Sequence, residues 1–372
     1  MKFSCTKDNV ARALGLIGGL TSKNVTLPIL NNVLIKVEEQ KIEFVATNLE
    51  LAVVVVVRGK VDATGAFTVP ARTLSDFVGL LPNERIDFEL VGGELALACG
   101  KTSTKIKGMG SDEFPVLPAL GSGAGFTVLV DTLTTALNRV LPAIARNEIR
   151  PELSGVYFGF NTREAKTLVL ASTDSYRLAE QVIALESGAE ALGVVVPGRT
   201  AQEVARALSA AEEGEKSVRL LVSANQLVVN YDSVQIISRL VAGQYPDYTQ
   251  IIPQQFKTTV VIATSHMQKE MKAAGLFTTS GVNAVAVEAL PEKKVISLTA
   301  SSQQTGEYAS EVECEVMGEA VTVLLNHRYV LDGLNQMASP EVKLQLAGPE
   351  SPCLLTAEKE VGFRYIVMPI RQ

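Results

Sequence analysis

Pro70-Ala71-Arg72-Thr73-Leu74-Ser75-Asp76-Phe77-Val78 decides how this chain is built, because its plan is written three times. Pro197-Gly198-Arg199-Thr200-Ala201-Gln202-Glu203-Val204-Ala205 follows it, and so does Asn326-His327-Arg328-Tyr329-Val330-Leu331-Asp332-Gly333-Leu334, at spacings of 127 and 129 residues. Each copy opens with a residue suited to starting a helix, Pro or Asn. An arginine stands two places on and an acid four beyond it, at 72/76, 199/203 and 328/332. Leu74, Phe77, Val78 and Leu81 in the first copy recur as Ala201, Val204, Ala205 and Leu208, then as Val330, Gly333, Leu334 and Met337. That i, i+3, i+4, i+7 spacing lays one inward stripe along a helix.

Working outward, other landmarks repeat at similar intervals. A helical pattern opens each unit, over residues 7–20, 131–146 and 265–277, with Ser265 and Gln268 spaced as a capping box for the third. Strand-like runs include Val33 to Val37, Val156 to Phe160 and Val285 to Ala289. Further runs, Glu43 to Thr47, Val169 to Ser172 and Ser297 to Ser301, carry small and hydroxyl residues at their ends. Phe114-Pro115, Tyr245-Pro246 and Met368-Pro369 stand near the unit ends, and Gly121-Ser122-Gly123-Ala124-Gly125 reads as a linker. The expected fold is α+β, three tandem two-helix, multi-strand domains over residues 1–120, 126–253 and 254–372.

Composition excludes several classes. Hydrophobic residues make up 47% of the 372 and charged residues 20%, so cores are affordable and disorder is not expected. The start lacks an apolar leader. The longest apolar run, Leu51 to Val57, falls far short of the ~18 residues of a membrane span and reads as a buried strand. No membrane partner and a cytoplasmic location are expected. Cys5, Cys99, Cys314 and Cys353 show no CxxC spacing, and His266 and His327 stand far apart. Neither a disulfide framework nor a metal site is expected, and the cysteines read as small buried hydrophobes.

Motifs that suggest chemistry fail on inspection. Gly100-Lys101-Thr102 lacks the earlier glycine of a phosphate loop, Leu95 standing there, and Thr102 to Lys107 alternates like a strand after a hairpin turn. The glycine run at 121–125 has the wrong spacing for a dinucleotide fingerprint. Asp174 has no second carboxylate, His or Lys in pattern and reads as a turn former. No cofactor is implied, and no catalytic residue is identified.

The charge distribution is more informative than the total of −6. On the first helices, Lys7, Arg12, Arg139, Arg146, Lys269 and Lys272 outnumber Asp8, Asp131 and Glu270. The second helices add Arg72, Arg199, Arg206 and Arg328 against Asp76, Glu203 and Asp332, so everything else carries a net −10. Basic helices in an acidic shell, three times over, would give a cyclic arrangement a lining attractive to phosphates without reading bases.

Several stretches then resemble the bacterial DNA sliding clamp family, the beta subunits of the replicative polymerase. They are Met1-Lys2-Phe3, Thr26-Leu27-Pro28-Ile29-Leu30, Val69-Pro70-Ala71-Arg72, Thr173-Asp174-Ser175-Tyr176-Arg177-Leu178-Ala179, Tyr245-Pro246-Asp247-Tyr248 and Tyr365-Ile366-Val367-Met368-Pro369-Ile370-Arg371. The resemblance spans the chain. It implies a head-to-tail homodimer closed into a ring, with helices lining the hole and sheets outside, that encircles duplex DNA without sequence preference. It also implies a clamp loader, the replicative polymerase, and repair and other replication proteins as partners, the latter bringing short clamp-binding peptides.

The implied peptide pocket comprises Arg150, Leu153, Thr173, Ser175, Tyr176, Arg177, Leu178, Pro246, Ile251, Asn326, Tyr329, Ile366, Met368, Pro369 and Arg371. Leu153, Leu178, Pro246, Ile251, Ile366 and Met368 would supply its apolar floor, and Arg150 and Arg177 polar contacts at its rim. For DNA the resemblance points to Lys23, Asn24, Arg72, Arg146, Asn147 and Arg199, and for the joint between chains to Thr104 and Ile106 against Leu276 and Phe277. Where the family commonly has Gly then His before the pocket arginine, this chain has Ser175 and Tyr176. Thr249 and Gln250 stand where basic residues often follow, and Gln372 ends the chain where an apolar residue is common. Two other architectures share the periodicity: a three-domain adaptor scaffold and an oligomeric enzyme with its site between domains. A two-repeat, trimeric clamp is opposed by the third repeat.

Overall fold

The computed structural model describes residues 1–20, 27–117, 122–146, 150–211 and 216–371. Six α-helices occur among them: α1 (Lys7–Ile17), α2 (Ala71–Leu80), α3 (Val130–Val140), α4 (Gly198–Ser209), α5 (Thr264–Gly275) and α6 (His327–Leu334). The thrice-written segment is therefore helical each time. Pro70 and Asn326 are N-caps, and the Asn326 side chain accepts from the Arg328 N–H. The inward stripe is buried throughout except at Phe77, which is half-buried. Gly333 is required by packing, since a Cβ there would run into the Tyr365 ring.

The charged positions of the repeat are spent differently in each copy. Arg72 pairs with Asp76 at 3.6 Å on an exposed face. Glu203 pairs instead with Arg206 at 2.8 Å, and Asp332 with Arg177. The expected capping box does not form. Ser265 lies inside α5, whose N-cap is Ala263, and Gln268 reaches across to the Leu334 carbonyl of α6 at 3.2 Å. A tertiary acceptor within reach outcompetes the local cap. The first helices of the repeats are also shorter than the periodicity suggests: α1 ends at Ile17, and α3 at Val140, where a short 3-10 turn, Leu141–Ala143, takes over.

The described strands form four antiparallel sheets. The valine run is a strand, Leu51–Val57, buried at six of its seven positions. Thr102–Lys107 is a strand reached by a turn in which Gly100 adopts φ +55°, so the hairpin reading holds. In the glycine run, Gly121 lies outside the described residues, and Ala124 and Gly125 already belong to the strand Ala124–Leu129.

By their contacts the described residues group into two compact units. One comprises Met1–Asp131, Glu186–Gly188 and Glu203–Leu240; the other Thr132–Leu185, Ala189–Gln202 and Val241 onward. The cut runs through the middle repeat because its strands are shared out. In the first unit, Leu51–Val57 pairs with Val234–Arg239, joining five strands of the first repeat to four of the second in one nine-stranded sheet. In the second unit, Arg177–Ala184 pairs with Phe363–Val367 and joins four strands of the middle repeat to five of the third. Each unit keeps one further sheet, of five strands in the first and four in the second. No helix among the described residues is long and apolar enough to cross a membrane.

Cys5, Cys99 and Cys353 are buried, while Cys314 is half-buried; all four are free thiols. Burial pushes the Cys5 and Cys353 thiols up to about 12, which keeps them protonated and unreactive.

Candidate peptide site and DNA-facing residues

The second unit brings many of the expected pocket residues together through strand register. Thr173 lies opposite Leu178, Leu178 opposite Ile366, and Ile366 opposite Leu354. Four side chains thus form a row across four adjacent strands, on one face of the sheet by the two-residue period. Leu153, Leu178, Leu354 and Ile366 belong to one apolar cluster with Tyr245, Tyr248 and Ile252. Leu178 and Ile366 are each 1% exposed.

Of the expected floor, Leu153, Leu178 and Ile366 are buried, Met368 is half-buried, and Pro246 and Ile251 are exposed. Ile252 is the buried member of the cluster, whereas Ile251 is 39% exposed and closes a short 3-10 turn, Thr249–Ile251. The turn rotates consecutive residues to different sides, which a one-residue reading of sequence does not resolve. Leu354, Tyr245 and Ile252 read in sequence as ordinary core residues; register sets Leu354 beside Ile366, and Tyr245 and Ile252 pack into the same cluster.

Arg177 is not a rim residue. Its side chain is 5% exposed, donates from Nε to Asp174 Oδ2 at 3.0 Å, and pairs through Nη1 with Asp332 of α6. Nη1 also reaches the Tyr365 hydroxyl at 3.4 Å, and the guanidinium lies 4.5 Å from the Tyr329 ring centroid. Burial by itself works against the charge. Tyr365, Asp332 and Asp174 more than reverse this and hold the group above the ordinary arginine pKa. Arg177 therefore ties the turn at 174–177 to α6 and has little left for a ligand. Asp174 is the turn former expected of it: Oδ1 accepts from the N–H groups of Tyr176 and Arg177, both at 3.0 Å.

Around this buried centre stand the exposed candidates. Arg150, Ser175, Tyr176, Pro246 and Arg371 are exposed; Asn326, Tyr329, Met368 and Pro369 are half-buried. The Met368 N–H donates to the Tyr176 carbonyl at 2.8 Å, which anchors the C-terminal segment to the turn. A separate cleft of about 710 Å³ is lined by Tyr157, Arg163, Tyr245, Pro246 and Tyr248 among others, sharing only Pro246 with the expected set. Arg163 there donates to Glu180 at 2.5 Å and to the Tyr248 hydroxyl at 3.0 Å.

The basic helix faces are partly consumed internally. Arg12 pairs with Asp232 at 3.0 Å, Arg139 with buried Glu360, and Arg206 donates to the carbonyls of Gly15 and Leu16. These three side chains are thus engaged within the chain. Arg72, Arg146 and Arg199 are exposed, as are Lys269, Lys272 and Arg328. Lys23, Asn24 and Asn147 lie outside the described residues. Of the expected joint residues, Ile106 is buried, Thr104 half-buried and Leu276 71% exposed; Phe277 stacks on Tyr308 at 5.8 Å.

Comparison with known proteins decides the family. Residues 1–118, 127–247 and 249–371 match, in order, the N-terminal, central and C-terminal domains of the DNA polymerase III beta subunit. The chain belongs to the DNA polymerase III beta subunit family. It is 28% identical to the beta sliding clamp of Synechococcus elongatus, over 100% of this chain and 99% of the relative. To the beta sliding clamp of Caulobacter vibrioides it is 27% identical, over all of both chains. The solved beta subunit of Thermotoga maritima superposes with a TM-score of 0.93 at 26% identity, covering 100% of this chain and 99% of that one. That of Pseudomonas aeruginosa gives 0.93 at 25%, over all of both. The fold is accordingly the sliding-clamp fold, with three tandem clamp domains, and the function is that of a processivity factor in DNA replication.

Proposed function

We propose that two copies of this chain close head to tail into a ring around duplex DNA, carrying the polymerase without doing chemistry themselves. The clamp domains are assigned to residues 1–120, 126–253 and 254–372. The observation that carries the ring is a pair of unmatched sheet edges. Thr102–Lys107 is an end strand of the five-stranded sheet, and Gly306–Glu313 an end strand of the four-stranded one. Joined between chains, five strands and four make nine, the composition of both sheets already built within the chain. The charges suit that pairing. Lys105 and Lys107 share the exposed face of one edge, and Glu307, Glu311 and Glu313 that of the other. Ile106, Leu276 and Phe277 would pack beside the new pairing, with Thr104 at its margin.

In this ring the helices face the hole. Arg72, Arg146 and Arg199, with Lys23, Asn24 and Asn147, hold phosphates without reading bases. Peptide segments of the polymerase, the clamp loader, and repair and other replication proteins dock at the Leu178–Ile366 pocket in turn. Tethering acts through effective concentration: a polymerase that lets go of the primer end rebinds before it diffuses away. The ring works in the cytoplasm and uses no cofactor or metal.

Sedimentation velocity tests the assembly. The expected mass is twice the 39.7 kDa of the chain. Glu311→Lys with Glu313→Lys should weaken the dimer by roughly 100-fold or more, since like charges at an interface cost several kcal/mol. Adding Lys105→Glu and Lys107→Glu to the same chain should restore it. A monomeric wild-type chain at micromolar concentration, or charge reversals without effect, would sink the ring.

A further inference from the structure

We infer that Gly79 makes the joint between the two chains the weak joint of the ring, because it stands where the joint built within the first unit has an arginine. The inference rests on the ring proposed above and names what governs its opening. Within the first unit, α4 meets the C-terminal end of α1. The Arg206 guanidinium donates from Nη1 to the Gly15 carbonyl at 2.9 Å, from Nη2 to the Leu16 carbonyl, and from Nε to Glu203 at 2.8 Å. The last carbonyls of a helix lack partners within it and carry its negative dipole end. A guanidinium there caps α1 and ties α4 to it. The Glu203 carboxylate lies against Gly19, where a Cβ would come within 2.4 Å of Oε1.

The repeat gives this contact a counterpart between chains. The spacing of 127 residues sets Gly79 at the place of Arg206, Asp76 at that of Glu203, and Phe77 and Leu80 at those of Val204 and Ala207. Likewise α5 matches α1: the Leu20 N–H donates to the Ile17 carbonyl and the Phe277 N–H to the Ala274 carbonyl, both at 3.0 Å. Leu276 then takes the place of Gly19. Val204 and Ala207 are 3% and 2% exposed, whereas Phe77 is half-buried and Leu80 is 86% exposed. Leu276, 71% exposed, offers an apolar side chain to cover that open face of a second copy's α2. The end of α5 is continuous with the proposed joint, since Phe277 stacks on Tyr308 of the end strand Gly306–Glu313. The helix contact between chains is then apolar. Gly79 has no side chain to donate to the Lys272 and Ala273 carbonyls, the counterparts of those of Gly15 and Leu16.

The position has room for a cap: Gly79 lies inside α2, and a Cβ there would meet nothing within 4 Å. Gly79→Arg should supply the donors and tighten each joint by about 5-fold. A symmetric dimer has two such joints, so its dissociation constant, from sedimentation equilibrium, should fall by about 25-fold. Exchange between ordinary and isotope-labelled chains, followed by native mass spectrometry, should slow. Gly79→Glu sets a like sign against the helix end and should weaken the dimer by a similar factor. Gly79→Ala, which changes helix propensity without adding a donor, should shift it by less than about 2-fold. Glu311→Lys with Glu313→Lys is the control for the ring itself. If those reversals break the dimer while Gly79→Arg leaves it unchanged or weakens it, the cap is wrong and the ring stands. If neither the reversals nor the Gly79 variants have any effect, the ring reading falls and takes the inference with it. A gain from Gly79→Ala equal to that from Gly79→Arg would also overturn the inference, since propensity and not capping would then be at work.

Discussion

Glu360→Ala should destabilise the second unit by about 3–5 kcal/mol, the usual cost of removing one partner from a buried ion pair. Glu360 is 8% exposed, and its side chain holds two other segments at once. Its Oε2 pairs with Arg139 of α3, and its Oε1 accepts from the N–H groups of Ala338 and Ser339 at 2.8 and 3.1 Å. The Arg139 and Glu360 side chains are only 15% and 7% exposed, so water would not replace the lost carboxylate well. Arg139 would retain Gln181 at 2.8 Å and the Phe363 ring at 5.2 Å, neither of which neutralises it. Two backbone donors would also lose their acceptor. Glu360→Gln, which keeps an acceptor for those N–H groups, should recover part of the loss. Urea unfolding followed by hydrogen exchange should show protection falling first across residues 338–339 and 357–363. A loss below about 1 kcal/mol would mean that the pair behaves as a solvated surface contact.

Met368→Glu should lower affinity for a clamp-binding peptide by more than about 100-fold while leaving the dimer unchanged. A carboxylate placed beside a row of Leu178, Ile366 and Leu354 must either stay hydrated, which keeps the peptide's apolar side chains out, or be desolvated at a cost of several kcal/mol. Backbone geometry should survive, because the bond that anchors this position is the Met368 N–H to the Tyr176 carbonyl. Sedimentation checks the assembly and fluorescence anisotropy the peptide. Undiminished binding would remove the pocket assignment and leave the ring untouched, since the proposed joints use residues 102–107 and 306–313.

Legibility in the sequence followed the range of the interaction concerned. The three second helices were readable because caps and inward stripes are set within a dozen residues, and Asp174 because an Asx turn needs only its own next three residues. The resemblance implies a rim role for Arg177, and nothing in the local sequence opposes it. Its burial depends on Asp332, 155 residues away, and on Tyr365, 188 away. Arg139 was likewise counted among free basic residues, and Glu360, 221 residues away, takes it. Which of Ile251 and Ile252 is buried in the cluster is set by a turn whose phase local composition does not reveal.

The sequence by itself determined that this protein is three copies of one α+β unit, since periodicity, caps and repeat spacing are properties of a linear pattern. Only the tertiary structure decided how those copies are joined. A strand's alternation says which face is apolar and leaves its partner open, because backbone N–H and C=O groups pair with any edge of suitable register. Leu51–Val57 found Val234–Arg239, and Arg177–Ala184 found Phe363–Val367, so the middle repeat was divided between two compact units. The same choice of edges set Leu178 beside Ile366 and left Thr102–Lys107 and Gly306–Glu313 at sheet ends.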